Sequence, residues 1–220
     1  MMTTLLDSIM IGFDNFPFVA VLLTAPILLI QFIHYKKINL VRIGISYASL
    51  LYALCFTALV FLPLPTLSDA AKLSTYDIQF IPFHFIADII KESPFRLNDI
   101  HTYLPSLFNR AVFQVIFNVL LVIPFGMFLR YCSHMNTKKI VLLSFALSLF
   151  VEIAQLTGLF FVFNGSYRLC DVDDLMANTL GGFIGCQIVN RLEEIIPSIE
   201  KFDMDLKTSK STLPQKLSVR

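Results

Sequence analysis

The chain has 220 residues and a mass of 25.0 kDa, with 56% apolar residues, 15% charged residues, a mean hydropathy of +0.72 and a formal net charge of +1. A soluble domain of this composition would leave more apolar surface than water tolerates, so the chain reads as an all-α integral membrane protein. The balance of 17 basic and 16 acidic residues provides no phosphate-binding surface, and no nucleic-acid partner is predicted.

The first fifteen residues carry Asp7 and Asp14 but no Lys or Arg, the reverse of a positively charged leader, so the first apolar segment is expected to stay in the protein. A spanning helix needs about 20 apolar residues, and segments at about 16–33, 41–64, 106–130, 140–162 and 173–190 approach or exceed that length. About five transmembrane helices are therefore predicted. The first two form an N-terminal hairpin over 1–64. In the following loop, 65–105, Phe83, Phe85, Ile86, Ile89 and Ile90 alternate with Asp88, Lys91 and Glu92 at helical spacing, which predicts a short interfacial helix. Ile81-Pro82-Phe83 reads as the turn that enters it. The last three spans form a core over 106–197, with Pro124 expected to kink the first of them. The polar tail, 198–220, is predicted to be disordered.

Basic residues set the orientation. Lys36, Lys37, Arg42, Arg130, Lys138, Lys139, Arg191, Lys201, Lys207, Lys210, Lys216 and Arg220 fall on one side, and only Lys72, Lys91, Arg96, Arg110 and Arg168 on the other. The positive-inside rule then puts the amino terminus outside and the carboxyl terminus in the cytoplasm.

Polar residues at bilayer depth are the informative ones, because hydrocarbon excludes them unless they face protein, water or a ligand. Arg110, Gln114 and Asn118 follow at steps of four and make one stripe on the third span. Ser144, Ser148, Glu152, Gln155 and Gly158 make a stripe on the fourth. Asp171, Asp174, Asn178 and Gly182 make one on the fifth, where Gly181 and Gly185 have the spacing that lets helices approach closely. Turned toward one another, the stripes build a polar cavity open to the outer face, with Arg168 at its mouth. Asn118, Gln155 and Asn178 could equally be interhelical glue, at about 0.6–2 kcal/mol per hydrogen bond. Carboxylates such as Glu152 and the Asp171, Asp173 and Asp174 cluster are too costly at that depth to serve as glue alone. Cys55, Cys132, Cys170 and Cys186 lie far apart, and His84 and His101 lack a companion at ligand spacing, so no metal, disulfide framework or cofactor is predicted.

Residues 118–126 read NVLLVIPFG, 148–155 read SLFVEIAQ and 168–185 read RLCDVDDLMANTLGGFIG, with IPF at 81–83 ahead of them. In this order the motifs resemble the VanZ-like family of small bacterial membrane proteins, over roughly Ile81 to Asn190. The family pattern falls on Asn118, Pro124, Phe125, Gly126, Glu152, Gln155, Arg168, Asp171, Asp174, Asn178, Gly181 and Gly185. The N-terminal span and the tail beyond Glu200 have no counterpart in that pattern.

The name-giving member of the family is associated with low-level resistance to teicoplanin, a lipid-tailed glycopeptide. The resemblance therefore implies a cell-envelope role in antibiotic tolerance. The expected function is recognition of a lipid-linked envelope component or a lipidated glycopeptide by Asn118, Glu152, Gln155, Arg168, Asp171, Asp174 and Asn178, with membrane lipid as a further partner. An alternative is an intramembrane enzyme with Glu152 as acid or base and Arg168 stabilising negative charge. A proton-coupled transporter is a third reading, weakened by the lack of a detectable inverted repeat.

Overall fold

The computed structural model describes residues 2–36, 39–92, 98–103 and 108–203. Lys37, Arg96, the first residues of the predicted third span and most of the polar tail, 204–220, lie outside the described residues.

Helix α1 (Met2–Tyr35) starts well before the apolar segment at 16–33. Hydropathy marks where lipid begins, whereas a helix satisfies its own backbone and runs on past Asp7 and Asp14. Phe18 and Val21 are 75% and 78% exposed, so this face meets lipid. Helix α2 (Leu40–Phe61) starts at Asn39, whose side chain accepts the Arg42 N–H at 3.0 Å. It returns antiparallel to α1, and Thr24 and Tyr47 share a hydroxyl hydrogen bond of 2.7 Å between them.

The loop that follows contains strand β1 (Ile78–Gln79) and helix α3 (His84–Glu92), at the place predicted for the interfacial helix. Phe83, in the turn before α3, adopts a left-handed φ of 64°. Strand β2 (Cys170–Asp171) lies parallel to β1 and ties this loop to the start of the last core helix. The Asp77 N–H donates to Ser166 Oγ at 2.9 Å beside the same pairing.

The core consists of α4 (Arg110–Tyr131), α5 (Thr137–Leu156) and α6 (Val172–Leu192). Asn109, Asn136 and Asp171 cap their amino ends by accepting N–H groups of the first turn at 2.8–2.9 Å. Pro124 lies within α4 without ending it. Helix α6 runs between α4 and α5 and packs on both. Its glycines allow backbone contact: a Cβ on Gly181 would strike the Val119 carbonyl, and one on Gly185 the Ile123 carbonyl. Gly126 of α4 makes the reciprocal approach to the Gly182 carbonyl, while Gly182 faces Ser144 of α5.

Helix α5 ends at Leu156, short of the predicted 162. Gly158, Leu159, Phe160 and Phe161 all have positive φ, between 55° and 70°, and this turn reverses the chain toward β2. A side chain at Gly158 would also meet the Gly165 and Phe163 carbonyls at 2.6 Å. Gly158 therefore does not extend the α5 stripe, as its spacing suggested, but terminates the helix.

Among the described residues, four helices are long and apolar enough to cross a membrane: Leu6–Ile33, Leu40–Phe61, Arg110–Tyr131 and Thr137–Leu156. Helix α6, the remaining predicted span, has comparable length at 21 residues but carries Asp173, Asp174, Asn178 and Arg191. Its position between two neighbours buries Asp173 and Asn178 and partly buries Asp174, while Arg191 at its carboxyl end is exposed. Beyond α6, the chain folds back onto the bundle, and Ile199 in the short 3-10 turn Ile199–Phe202 is fully buried. The tail predicted to be free thus starts as a docked segment. Asn39 Nδ2 donates to the Ile199 carbonyl at 2.7 Å and to Asp203 at 2.8 Å.

Candidate functional site

A cavity of about 470 Å³ opens at the end of the bundle where α2 finishes and α4 and α6 begin. Asn118, Glu152, Gln155, Arg168, Asp171, Asp174 and Asn178 all line it. Arg110 and Gln114 continue the α4 side of the wall, and Asp88 of α3 contributes another carboxylate. The three stripes face one space because α6 presents successive turns to α4 on one side and to α5 on the other.

Each candidate also has a structural bond. Asn118 donates through Nδ2 to Asp174 Oδ1, and Gln114, one turn earlier, hydrogen-bonds the same carboxylate. This joins α4 to α6. Asn178 donates to Ser148 Oγ at 2.9 Å, joining α6 to α5, while its own carbonyl oxygen is buried and has no partner among the described residues. Glu152, 2% exposed, accepts the Asp171 N–H at 3.1 Å and so holds the β2–α6 junction. The Asp171 carboxylate in turn accepts the Asp173 N–H.

Gln155 and Arg168 reach in the other direction. Gln155 Nε2 donates to the Val60 carbonyl at 3.0 Å, and the Arg168 guanidinium donates to the Leu62 carbonyl. These oxygens belong to the last turn and cap of α2, where a helix leaves its carbonyls without internal donors. Two residues expected to contact a ligand therefore also hold the hairpin against the core. Ser8, Val60, Leu62 and Pro63 complete that wall. No polar stripe marks these residues, and the hairpin's part in the site has no signal in the motifs.

Asp173 is the other residue whose role the stripes missed. Its carboxylate accepts the Phe83 N–H at 2.6 Å and the Phe85 N–H at 2.9 Å. It thereby fixes the turn before α3 and satisfies the amino end of that helix. The Ile81-Pro82-Phe83 motif and the acidic cluster at 171–174 are thus two halves of one contact.

Burial pushes the Asp171 carboxyl above its usual range. The Cys170 thiol beside Glu152 is pushed up to about 11, by burial first and then by the Glu152 charge. Both effects favour the thiol over the nucleophilic thiolate. Chemically the cavity is rich in acceptors: the carboxylates of Asp88, Glu152, Asp171 and Asp174 and the free Asn178 carbonyl outnumber the two guanidinium groups.

The sequence model of the VanZ/LLP1 family matches residues 49–193, more than half of the chain. The match starts inside α2, well before the motifs, and so includes the α2 turn held by Gln155 and Arg168. No curated protein and no solved structure matches the chain. With seven of the motif residues gathered around one cavity and the matched segment covering every core helix, the chain belongs to the VanZ/LLP1 family.

Proposed function

We propose that this membrane protein recognises the polar headgroup of a lipid-linked envelope component, or of a lipidated glycopeptide of the teicoplanin type, in a cavity that faces the cell exterior, and so contributes to antibiotic tolerance. The observation that carries the reading is the convergence of Asn118, Glu152, Asp174 and Asn178 from α4, α5 and α6 on one space of about 470 Å³. Helix glue alone does not require carboxylates at that depth, since neutral amides supply interhelical bonds at lower desolvation cost. Carboxylates and an unpartnered amide carbonyl accept from hydroxyl, amide and ammonium donors, the groups that sugar and peptide headgroups offer.

Glu152→Gln and Asp174→Asn test this reading. Each amide keeps an oxygen for the structural bond from Asp171 or Asn118, so folding should persist while the carboxyl group facing the ligand is lost. In a bacterial host made glycopeptide-tolerant by this protein, both variants should lose the tolerance at unchanged membrane abundance. Full tolerance in both would remove these carboxylates from the mechanism.

A second reading, an enzyme on a lipid-linked substrate, is favoured by one feature: Glu152 and Asp174 line the same cavity as Arg168. Purified protein that converts a lipid-linked precursor, with Glu152→Gln inert, would select it over recognition.

A further inference from the structure

Three contacts fix the depth of the loop between hairpin and core. Glu152, one turn before the end of α5, accepts the Asp171 N–H, so strand β2 and its partner β1 lie about 6 Å inside that helix end. Gln114 and Asn118, one and two turns past Arg110, both reach the Asp174 carboxylate, which places it about 6–12 Å below the start of α4. Asp173, the next residue along, holds the N–H groups of Phe83 and Phe85 near that depth. The far end of α3 is higher. There the Ile89 carbonyl accepts at 3.4 Å from Nδ2 of Asn109, the residue that caps α4. From Phe83 to Ile89 a helix rises about 9 Å, enough to join the two levels. A helix lying flat in the interface would keep both its ends at one height.

We propose that residues 78–92 re-enter the bilayer at the cavity end of the bundle, dipping to the Ile81-Pro82-Phe83 turn and climbing back as α3, with Phe80, Ile81, Phe83, Ile86 and Ile90 set in lipid hydrocarbon. These five side chains are 49–71% exposed, although all are apolar. His84 and Asp88, 3.2 Å apart, lie on the partly buried side of α3, and Asp88 lines the polar cavity. A surface helix in water sorts its residues in the opposite sense. Helix α3 packs on α4, a membrane span whose Phe113, Ile116 and Leu120 are exposed in the same way. The backbone is provided for as well. Irregular chain at hydrocarbon depth needs partners for its polar groups, which water would supply to an ordinary loop. Here the Asp77 N–H donates to Ser166 Oγ, the Asp77 carbonyl accepts the Cys170 N–H, and β1 pairs with β2. The Ile81 N–H donates to Gln79 Oε1 at 2.9 Å, residue 82 is a proline without an N–H, and Asp173 takes the next turn. Helix α3 is thus the lipid-side wall of the polar cavity, with acyl chains on one face and His84 and Asp88 on the other. This holds whatever the cavity binds and whichever membrane face it occupies.

The chain contains no tryptophan, so an introduced one reports its own surroundings. Ile86→Trp and Ile90→Trp are made in the full chain and reconstituted in phosphatidylcholine vesicles, with Phe80→Trp in reserve should Ile86→Trp fail to accumulate. Leu120→Trp on α4 is the lipid-facing reference, and Lys72→Trp, on the exposed turn ahead of β1, the aqueous one. Lipids brominated on their acyl chains should quench Ile86→Trp as strongly as Leu120→Trp, Ile90→Trp less, and Lys72→Trp not at all. Acrylamide in the water should quench in the reverse order. If Ile86→Trp and Phe80→Trp respond to acrylamide as Lys72→Trp does and ignore the brominated lipid, the segment lies in water and the inference fails. Equal quenching of Ile86→Trp and Ile90→Trp by the lipid would leave α3 flat in the interface and overturn the re-entrant path. Quenching by neither agent would mean that protein covers the face, a second copy if dilution with lipid restores the quenching, and overturns it too.

Discussion

Asp173 and Asp174 are adjacent in sequence, yet a step of one residue turns a helical side chain by about 100° and sends the two carboxylates to different places. Asp173 turns to the backbone of the loop and accepts from Phe83 and Phe85. Asp174 turns to the cavity and meets Gln114 and Asn118. Asp173→Ala would strand two amide donors at the amino end of α3, with a cost of about 3 kcal/mol. The thermal midpoint in detergent should fall accordingly, and amide exchange at Phe83 and Phe85 should accelerate. An unchanged midpoint with unchanged exchange would show that α3 is held by other contacts. The cost of burying charge singles out Glu152 and the Asp171, Asp173 and Asp174 cluster from sequence, because that cost depends only on the residue and its depth. It cannot assign Asp173, Gln155 or Arg168 to their partners, which are backbone atoms between 88 and 106 residues away and carry no side-chain signature.

Among the elements, α6 is the one whose composition and position explain each other. A helix packed on two neighbours needs small residues at its contacts and can carry polar ones toward a cavity, so its hydropathy falls below that of lipid-facing helices. Gly182→Leu would drive its side chain into Ser144 and force α5 and α6 apart, with an expected loss of about 3 kcal/mol or failure to accumulate. Gly44→Ala is the control, since nothing lies within 4 Å of a Cβ there, and it should be neutral in the same melting assay. Loss of stability in both, or in neither, would contradict the close-packed glycine face. The GxxxG spacing of Gly181 and Gly185 makes the α4 contact visible in sequence and the polar stripe places Gly182, whereas the left-handed turn that ends α5 hides within an apolar run, Leu159 to Phe163, that hydropathy reads as helix.

At the opposite end, His134 Nε2 and the Glu200 carboxylate lie 2.9 Å apart and help hold the segment that follows α6. The hydrogen bond from His134 lowers the Glu200 carboxyl below its ordinary range. A lowered acid favours the docked state when ionised, so its contribution is present above the free carboxyl value and disappears as the pH falls through the lowered one. Amide exchange at Ile199–Phe202 should therefore be slow near neutrality and accelerate from about pH 4 downward. Exchange independent of pH across that window, after correction for intrinsic rates, would assign the docking to the remaining contacts, those of Asn39 and Arg42 with Ile199 and Asp203 and of Tyr131 with Pro197.

At the scale of the whole molecule, two features are legible in the sequence without coordinates: a helical membrane protein, from composition, and a core of three motif-bearing helices, from the cost of polarity. The contribution of the hairpin is not legible. It holds the core through main-chain oxygens of Val60 and Leu62, and a carbonyl does not appear as a motif. The charge distribution orients the molecule only as an expectation, with the cavity end of α2, α4 and α6 outside.

Modification of a single cysteine decides between an outward cavity and its opposite. With Cys55, Cys132, Cys170 and Cys186 replaced by alanine or serine, Gln114→Cys places one thiol on the cavity wall. A membrane-impermeant maleimide added to intact cells should label it, and a donor-bearing amphiphile should slow the labelling. Reaction only in inside-out vesicles, or at a rate no ligand alters, would contradict the account.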